Sequence, residues 1–518
     1  MKESLIILIF SLCVLSSFSQ NYHWKWVNPT DYYSTGLAIS EDSIYYWHSS
    51  VQDYDTIQYQ SYSFTPAFPS RNPLGGDITL LRLNAEGASS WGKQAFGSKL
   101  QWIIGDAPFP SGVALLGLSQ RGASFTIDND TIEEWSFVLV FHNDSDSLIH
   151  YFKAPKKLVE SERFYISFDS YRDSTFTLTM GFLDSISVGD TSFSTIPRQL
   201  LHSTLQGGLL LKYSYDGELL WARKLGDGQI LPRDHFVDEA GNIFLLGTYT
   251  KWNALLPVLG NDTLSGNGVF LAKISATNEL LWTKSIEVVN SMLWAPPTEL
   301  SLKQSPDGSI MICAEFYQGG GVIMNRDTMG SSDKPSLMLM KLNEEGNILW
   351  AEFPDIERTG PVPYTTMAVG PEGQVAISGQ LRGTAIFGED TLRSDGNNDA
   401  DMFLVVYDSA GNVDYSTTSN TNNAAPRFQA SANVWGFNHL GELIVTGYFS
   451  GPNFQLGPFS IDGFPGHNFI AALAPGPGPS GIESQKTNYM MIAPNPATEH
   501  IHIRLAGNGV TPGKPYSL

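Results

Sequence analysis

The chain has 518 residues, 42% of them hydrophobic and 12% aromatic, with 49 Gly and 29 Pro. That length and apolar content allow a large buried core, and the Gly, Pro and aromatic content favours many short strands and turns over long helices. A formal net charge of −21 argues against nucleic acid and anionic membrane surfaces as partners, since both would repel it.

Residues 1–19 read as a secretory signal peptide. Lys2 supplies the positive start, 5–15 is a mostly apolar run, and Ser17-Phe18-Ser19 puts small residues where cleavage would leave Gln20 first. The apolar run is far shorter than the roughly 20 residues a spanning helix needs, and no later segment reaches that length. We therefore expect no transmembrane segment in the mature chain. Of the two cysteines, Cys13 leaves with the signal and Cys313 stays. No internal disulfide and no cysteine-based metal site follow, and Cys313, alternating within "GSIMICAEF", reads as a buried core thiol.

From residue 20 to 475 the chain repeats itself. "LLKYSYDGELLW" ends at Trp221, "LAKISATNELLW" at Trp282 and "LMKLNEEGNILW" at Trp350. Taking the last aromatic as a marker adds Trp91, Tyr151 and Tyr415, at intervals of 60, 70, 61, 68 and 65 residues. A second marker is a Gly or Asp turn followed by an alternating stretch, as in "GNIFLLGTY", "DGSIMICAEF" and "EGQVAISGQL". It occurs seven times if the looser "EDSIYYWHSS" is included. A third is an Asp-Thr pair at Asp130, Asp190, Asp262, Asp327 and Asp390, with a weaker copy at Asp55.

Each repeat is then expected to hold four strands. The alternating Gly-bounded stretch is strand one, strands two and three flank the Asp-Thr turn and the later apolar run, and strand four carries the aromatic. The seventh first-strand copy, at Glu442, lacks an aromatic strand after it, whereas "NYHWKWVNP" near the start offers Trp24 and Trp26 with nothing before them. Ring closure by that N-terminal strand removes the open edges of a linear array. The expected fold is all-β: a seven-bladed β-propeller of four-stranded blades, with the aromatic packed between neighbouring blades.

The pattern in 386–415, "IFGEDTLRSDGNNDADMFLVVYDSAGNVDY", and in 323–350, "IMNRDTMGSSDKPSLMLMKLNEEGNILW", resembles the β-propeller repeats of secreted Bacteroidetes-type proteins. The resemblance implies the fold strongly and a function weakly. Residues 476–487, rich in Pro, Gly and Ser, read as a linker. Residues 488–518 contain "PNPATEHIHI", which resembles the opening of the C-terminal sorting domain of the type IX secretion system, a β-sandwich-like module that is longer than the segment here. That resemblance implies export through the type IX machinery and a secreted, extracellular or outer-membrane-attached location.

No residue stands out for catalysis, cofactor binding or metal binding, and no cofactor is expected. There is no HExxH, GxSxG or GxxxxGK[ST]. His500 and His502 read as solvated positions of the tail strand. The oxygen-rich stretches at 128–131 and 142–147 lack the EF-hand pattern. A recurring Asp-Thr pair is better explained as a turn in which Asp bonds nearby backbone N–H groups. The expected function is a non-catalytic binding module for an extracellular protein or polysaccharide, using blade-joining loops such as 155–165 and 284–300. Two alternatives stay open: a carbohydrate-active lyase or glycosidase at the channel mouth, and a structural surface protein without ligand. Convergent carboxylates with raised pKa would favour the enzyme, and an exposed Trp and Tyr rim would favour sugar binding.

Overall fold

The computed structural model describes residues 22–476 apart from segments such as 31–35, 65–77, 154–165, 196–205, 289–299 and 420–428, together with 490–493 and 502–505. The expected signal peptide and most of the linker and tail lie outside the described residues. The described chain is all-β, built of antiparallel sheets. Seven successive units each contain a four-stranded meander. Their inner strands are Gly36–Ser40, Gln101–Phe109, Ile166–Tyr171, Gln229–Val237, Leu300–Gln304, Thr366–Val369 and Gln429–Phe437.

These inner strands correct the expected strand order. The alternating Gly-bounded stretch is the second strand of each unit, not the first: Ile243–Thr250 lies between Gln229–Val237 and Asn267–Ile274. The second and third strands are largely apolar and buried on both faces because each is sandwiched between neighbouring units, which is why they stood out. The inner strands mix polar and apolar residues and share no motif.

The Asp-Thr pairs also sit differently from expectation. They lie on a small extra hairpin between second and third strands, such as Thr384–Phe387 with Asp390–Arg393. Two of the Asp carboxylates, Asp262 and Asp390, reach the outer strand of their unit. Asp390 Oδ2 accepts from Ser416 Oγ at 2.8 Å, and Asp262 Oδ2 accepts from Thr283 Oγ1, both hydroxyls being on outer strands. Several of these hairpins pair with strands of the preceding unit or just after it: Phe125 opposite Gly97, Leu259 opposite Gly226, Ile323 opposite Glu287 and Ile386 opposite Asp355. Exposed edges are thereby covered.

The outer strand is bulged at one register position in all seven units. Ser90, Ile149, Leu220, Leu281, Leu349, Asp414 and Lys25 are each skipped by the pairing. The residue after the bulge is the marker aromatic in six units. In the second unit it is His150, so the marker placed at Tyr151 falls one residue late.

The N-terminal strand Tyr22–Thr30 is the outer strand of the seventh unit, pairing with His467–Pro475 so that Trp26 lies opposite Ala472. The core is divided among the seams. One buried cluster joins each unit to the next, and the seventh joins the last unit to the first through Trp26, Ile444 and Ile470 against Leu37, Ile44 and Leu81. Each buried Leu, Ile or Phe in such a seam contributes about 1.5–3 kcal/mol. The inner strands likewise pack in sequence, and Gln429–Phe437 packs on Gly36–Ser40.

Aromatics at the end of the repeat motif do lie between units. Trp350 Nε1 donates to Ser409 O at 3.2 Å, and Trp26 Nε1 donates to Ala85 O at 3.0 Å, each reaching the outer hairpin of the next unit. The hairpin glycines they meet, Gly411 (φ 92°) and Gly87 (φ 74°), need the left-handed conformation, and a Cβ at Gly87 would lie 2.8 Å from the Trp26 ring. Cys313 is a buried free thiol, as expected. In the tail, Met490–Ala493 pairs with His502–Leu505, bringing Ala493 opposite His502.

Candidate functional site

Ionisable residues collect on four consecutive inner strands. Asp106 comes from the second unit, Asp169 from the third, Asp234 and His235 from the fourth and Lys303 from the fifth. Sequence reading nominated none of them. They lie deep in the molecule, yet Lys303 keeps 44% of its side-chain surface open and Asp234 keeps 18%, so this interior is reached by solvent.

Two of the carboxylates hold units together. Asp169 Oδ1 accepts from Ser170 N at 2.9 Å, and its Oδ2 accepts from Val237 N of the next unit at 3.0 Å. Asp234 Oδ1 accepts from His235 N at 2.9 Å and Ser167 Oγ at 3.1 Å, while Oδ2 accepts from Leu302 N of the next unit at 2.8 Å. The Lys303 ammonium stands 3.9 Å from that same Oδ2. Hydroxyls do the equivalent work between the sixth and seventh units, where Val434 N donates to Thr366 Oγ1 at 2.8 Å and Ser378 Oγ at 2.9 Å.

His235 is sealed at 3% exposure. Its Nδ1 lies 2.9 Å from Ser167 Oγ and its Nε2 lies 2.8 Å from Thr177 Oγ1, both in the preceding unit. Because Ser167 gives its proton to Asp234, it can only accept from Nδ1–H, which leaves Nε2 to accept from the Thr177 hydroxyl. The order Thr177, His235, Ser167, Asp234 is not that of a nucleophile with its base. The serine lies between imidazole and carboxylate, with its proton and a lone pair both engaged.

Charge crowding shifts the titrations. Burial pushes Asp106 up to about 7; Lys303 opposes this, and Asp169 and Asp234 add to it. Burial likewise raises Asp169 to about 6, against the backbone N–H groups of Ser170 and Val237 and the charge of Lys303. His235 is pushed by burial down to about 4, with Asp234 opposing. Lys303 is raised chiefly by Asp234, in spite of its burial. Three carboxylates thus share the Lys303 ammonium, with Arg233 on the same inner strand as Asp234.

Catalysis by paired carboxylates needs oxygens free to face a substrate. Asp169 and Asp234 have both oxygens engaged. Asp106 is held by its own backbone N–H and, among the described residues, by no other hydrogen-bond donor. No group of three or more His, Cys, Asp or Glu among the described residues is arranged to hold a metal ion. The exposed large apolar side chains among them are five leucines and one isoleucine, with no aromatic. No helix among them is long and apolar enough to cross a membrane. Of the loop segments expected to make contacts, 155–165 lies outside the described residues, while 284–288 belongs to the outer strand Leu280–Val288.

No family model and no curated protein matches the chain. Among solved structures it is similar to a protein of unknown function from Dyadobacter fermentans, at 10% identity and a TM-score of 0.31, covering 72% of this chain and 94% of that one. It is also similar to the polysaccharide lyase Uly1, at 10% identity and a TM-score of 0.40, covering 90% of this chain and 94% of that one. An apocarotenoid oxygenase from Synechocystis is similar at 12% identity and a TM-score of 0.34, covering 83% of this chain and 88% of that one. At these scores the likenesses lend this chain no activity.

Proposed function

We propose that the seven units are the blades of a β-propeller, and that the protein is an exported, non-catalytic binding module whose acidic interior takes a neutral or basic extracellular partner. The observation that carries the binding reading is the use made of the interior carboxylates. Asp169 and Asp234 are spent on joining units, so the interior offers negative charge without a free acid–base pair. A wall of that sign repels anionic chains and attracts cationic groups, and the net charge of −21 acts in the same direction.

The propeller reading is supported by the cycle of seams, in which the last unit packs on the first, and by the outer strand that the N-terminus contributes to the last unit. Export is supported by the sequence of residues 1–19. A type IX route is supported by the sequence motif "PNPATEHIHI". The partner is a protein or a polysaccharide. A carbohydrate-active enzyme is the second reading: Asp106 and Asp169, both raised by burial, meet its requirement for convergent carboxylates, and against it stand the oxygens of Asp169 and Asp234, which are engaged by backbone N–H groups. A scaffold without ligand accounts for Asp169 and Asp234, which join units, and leaves the buried Asp106 without a use.

The test uses the chain from residue 20 onward, challenged with immobilised cationic, neutral and anionic polysaccharides and with basic and acidic peptides. Soluble products are assayed in the same samples. Retention on neutral or cationic ligands, without products, is the expected result. Release of oligosaccharides would overturn the non-catalytic reading, and preferential retention on anionic ligands would overturn the electrostatic one.

A further inference from the structure

We draw no further inference here: the strongest candidate, the row of outward leucines Leu220, Leu281 and Leu349 at the outer-strand bulges of the third, fourth and fifth units, is an unpartnered apolar face, and nothing in the structure shows what covers it.

Discussion

His235 and Asp106 pull the pH dependence of stability in opposite directions. The imidazole has a folded pKa of about 4, below its ordinary value of 6.5, so between these limits the unfolded chain binds more protons. Its contribution to stability is intact above 6.5 and is lost as pH falls towards 4. Asp106 is raised from 3.8 to about 7, so the folded chain binds more protons between those values, and stability is lost as pH rises. In the native protein the two trends partly cancel, and substitution separates them. His235→Gln should cost stability at pH 7, with a handicap that shrinks by up to about tenfold in the folding equilibrium per pH unit between 6.5 and 4. Asp106→Asn should stabilise the protein at pH 8 by on the order of 2 kcal/mol, fading by pH 4. Urea midpoints at four pH values decide both, and differences that do not change with pH would sink the assignment. Neither residue was legible in the sequence. A histidine in "PRDHFV" and an aspartate in "IIGDAPF" have no local motif, and their burial arises only when separate inner strands meet.

At the scale of strands, the legible elements were those under packing constraint from two sides. Second and third strands are buried on both faces, and the outer hairpin must turn through a left-handed residue, so both leave repeated signatures such as "GNIFLLGTY" and "NEEGNILW". Inner strands face the interior along one side and vary freely there, so the markers skipped them. Chain length held a clue, because the stretch from Trp221 to the turn at Gly241 is too long for a plain loop in a compact domain. That stretch contains Gln229–Val237, and with it Asp234. The same strand yields a prediction about how units are joined. Asp234→Asn keeps the shape but leaves one oxygen to serve the donors that two now serve, so one buried N–H loses its acceptor. The expected cost is about 1–3 kcal/mol. Amide exchange should quicken at Leu302, whose N–H binds Asp234, while Val434, held by Thr366 and Ser378, keeps its protection. Equal loss at both amides would mean general destabilisation rather than a joint between the fourth and fifth units.

For the whole molecule, the decisive contact is between the last unit and the first, and Trp26 lies at its centre. The ring belongs to the N-terminal outer strand of the seventh unit, is 9% exposed, and packs with Leu37, Ile44, Leu81 and Leu83 of the first unit. Its indole N–H binds Ala85 O across that seam, and the neighbouring Asn28 Nδ2 donates to Gly87 O at 3.1 Å. On the strand's other side Lys25 Nζ meets Glu442 Oε1 at 2.6 Å. The lysine is one-third exposed, so this ion pair adds at most about 1 kcal/mol, and the apolar seam dominates. Trp26→Ala should therefore cost about 3–5 kcal/mol, and Lys25→Ala under about 1. Removing residues 1–30 goes further, because it strips His467–Pro475 of its partner and exposes an apolar edge. The shortened chain should expand in small-angle scattering and associate with rising concentration, and Trp26→Ala should leave the size of the folded protein unchanged. The contrast separates closure by a strand from closure by one side chain. If the shortened chain stays monomeric and as compact as the parent, the N-terminal strand is not what closes the molecule, and the packing of Gln429–Phe437 on Gly36–Ser40 holds the last unit to the first without it.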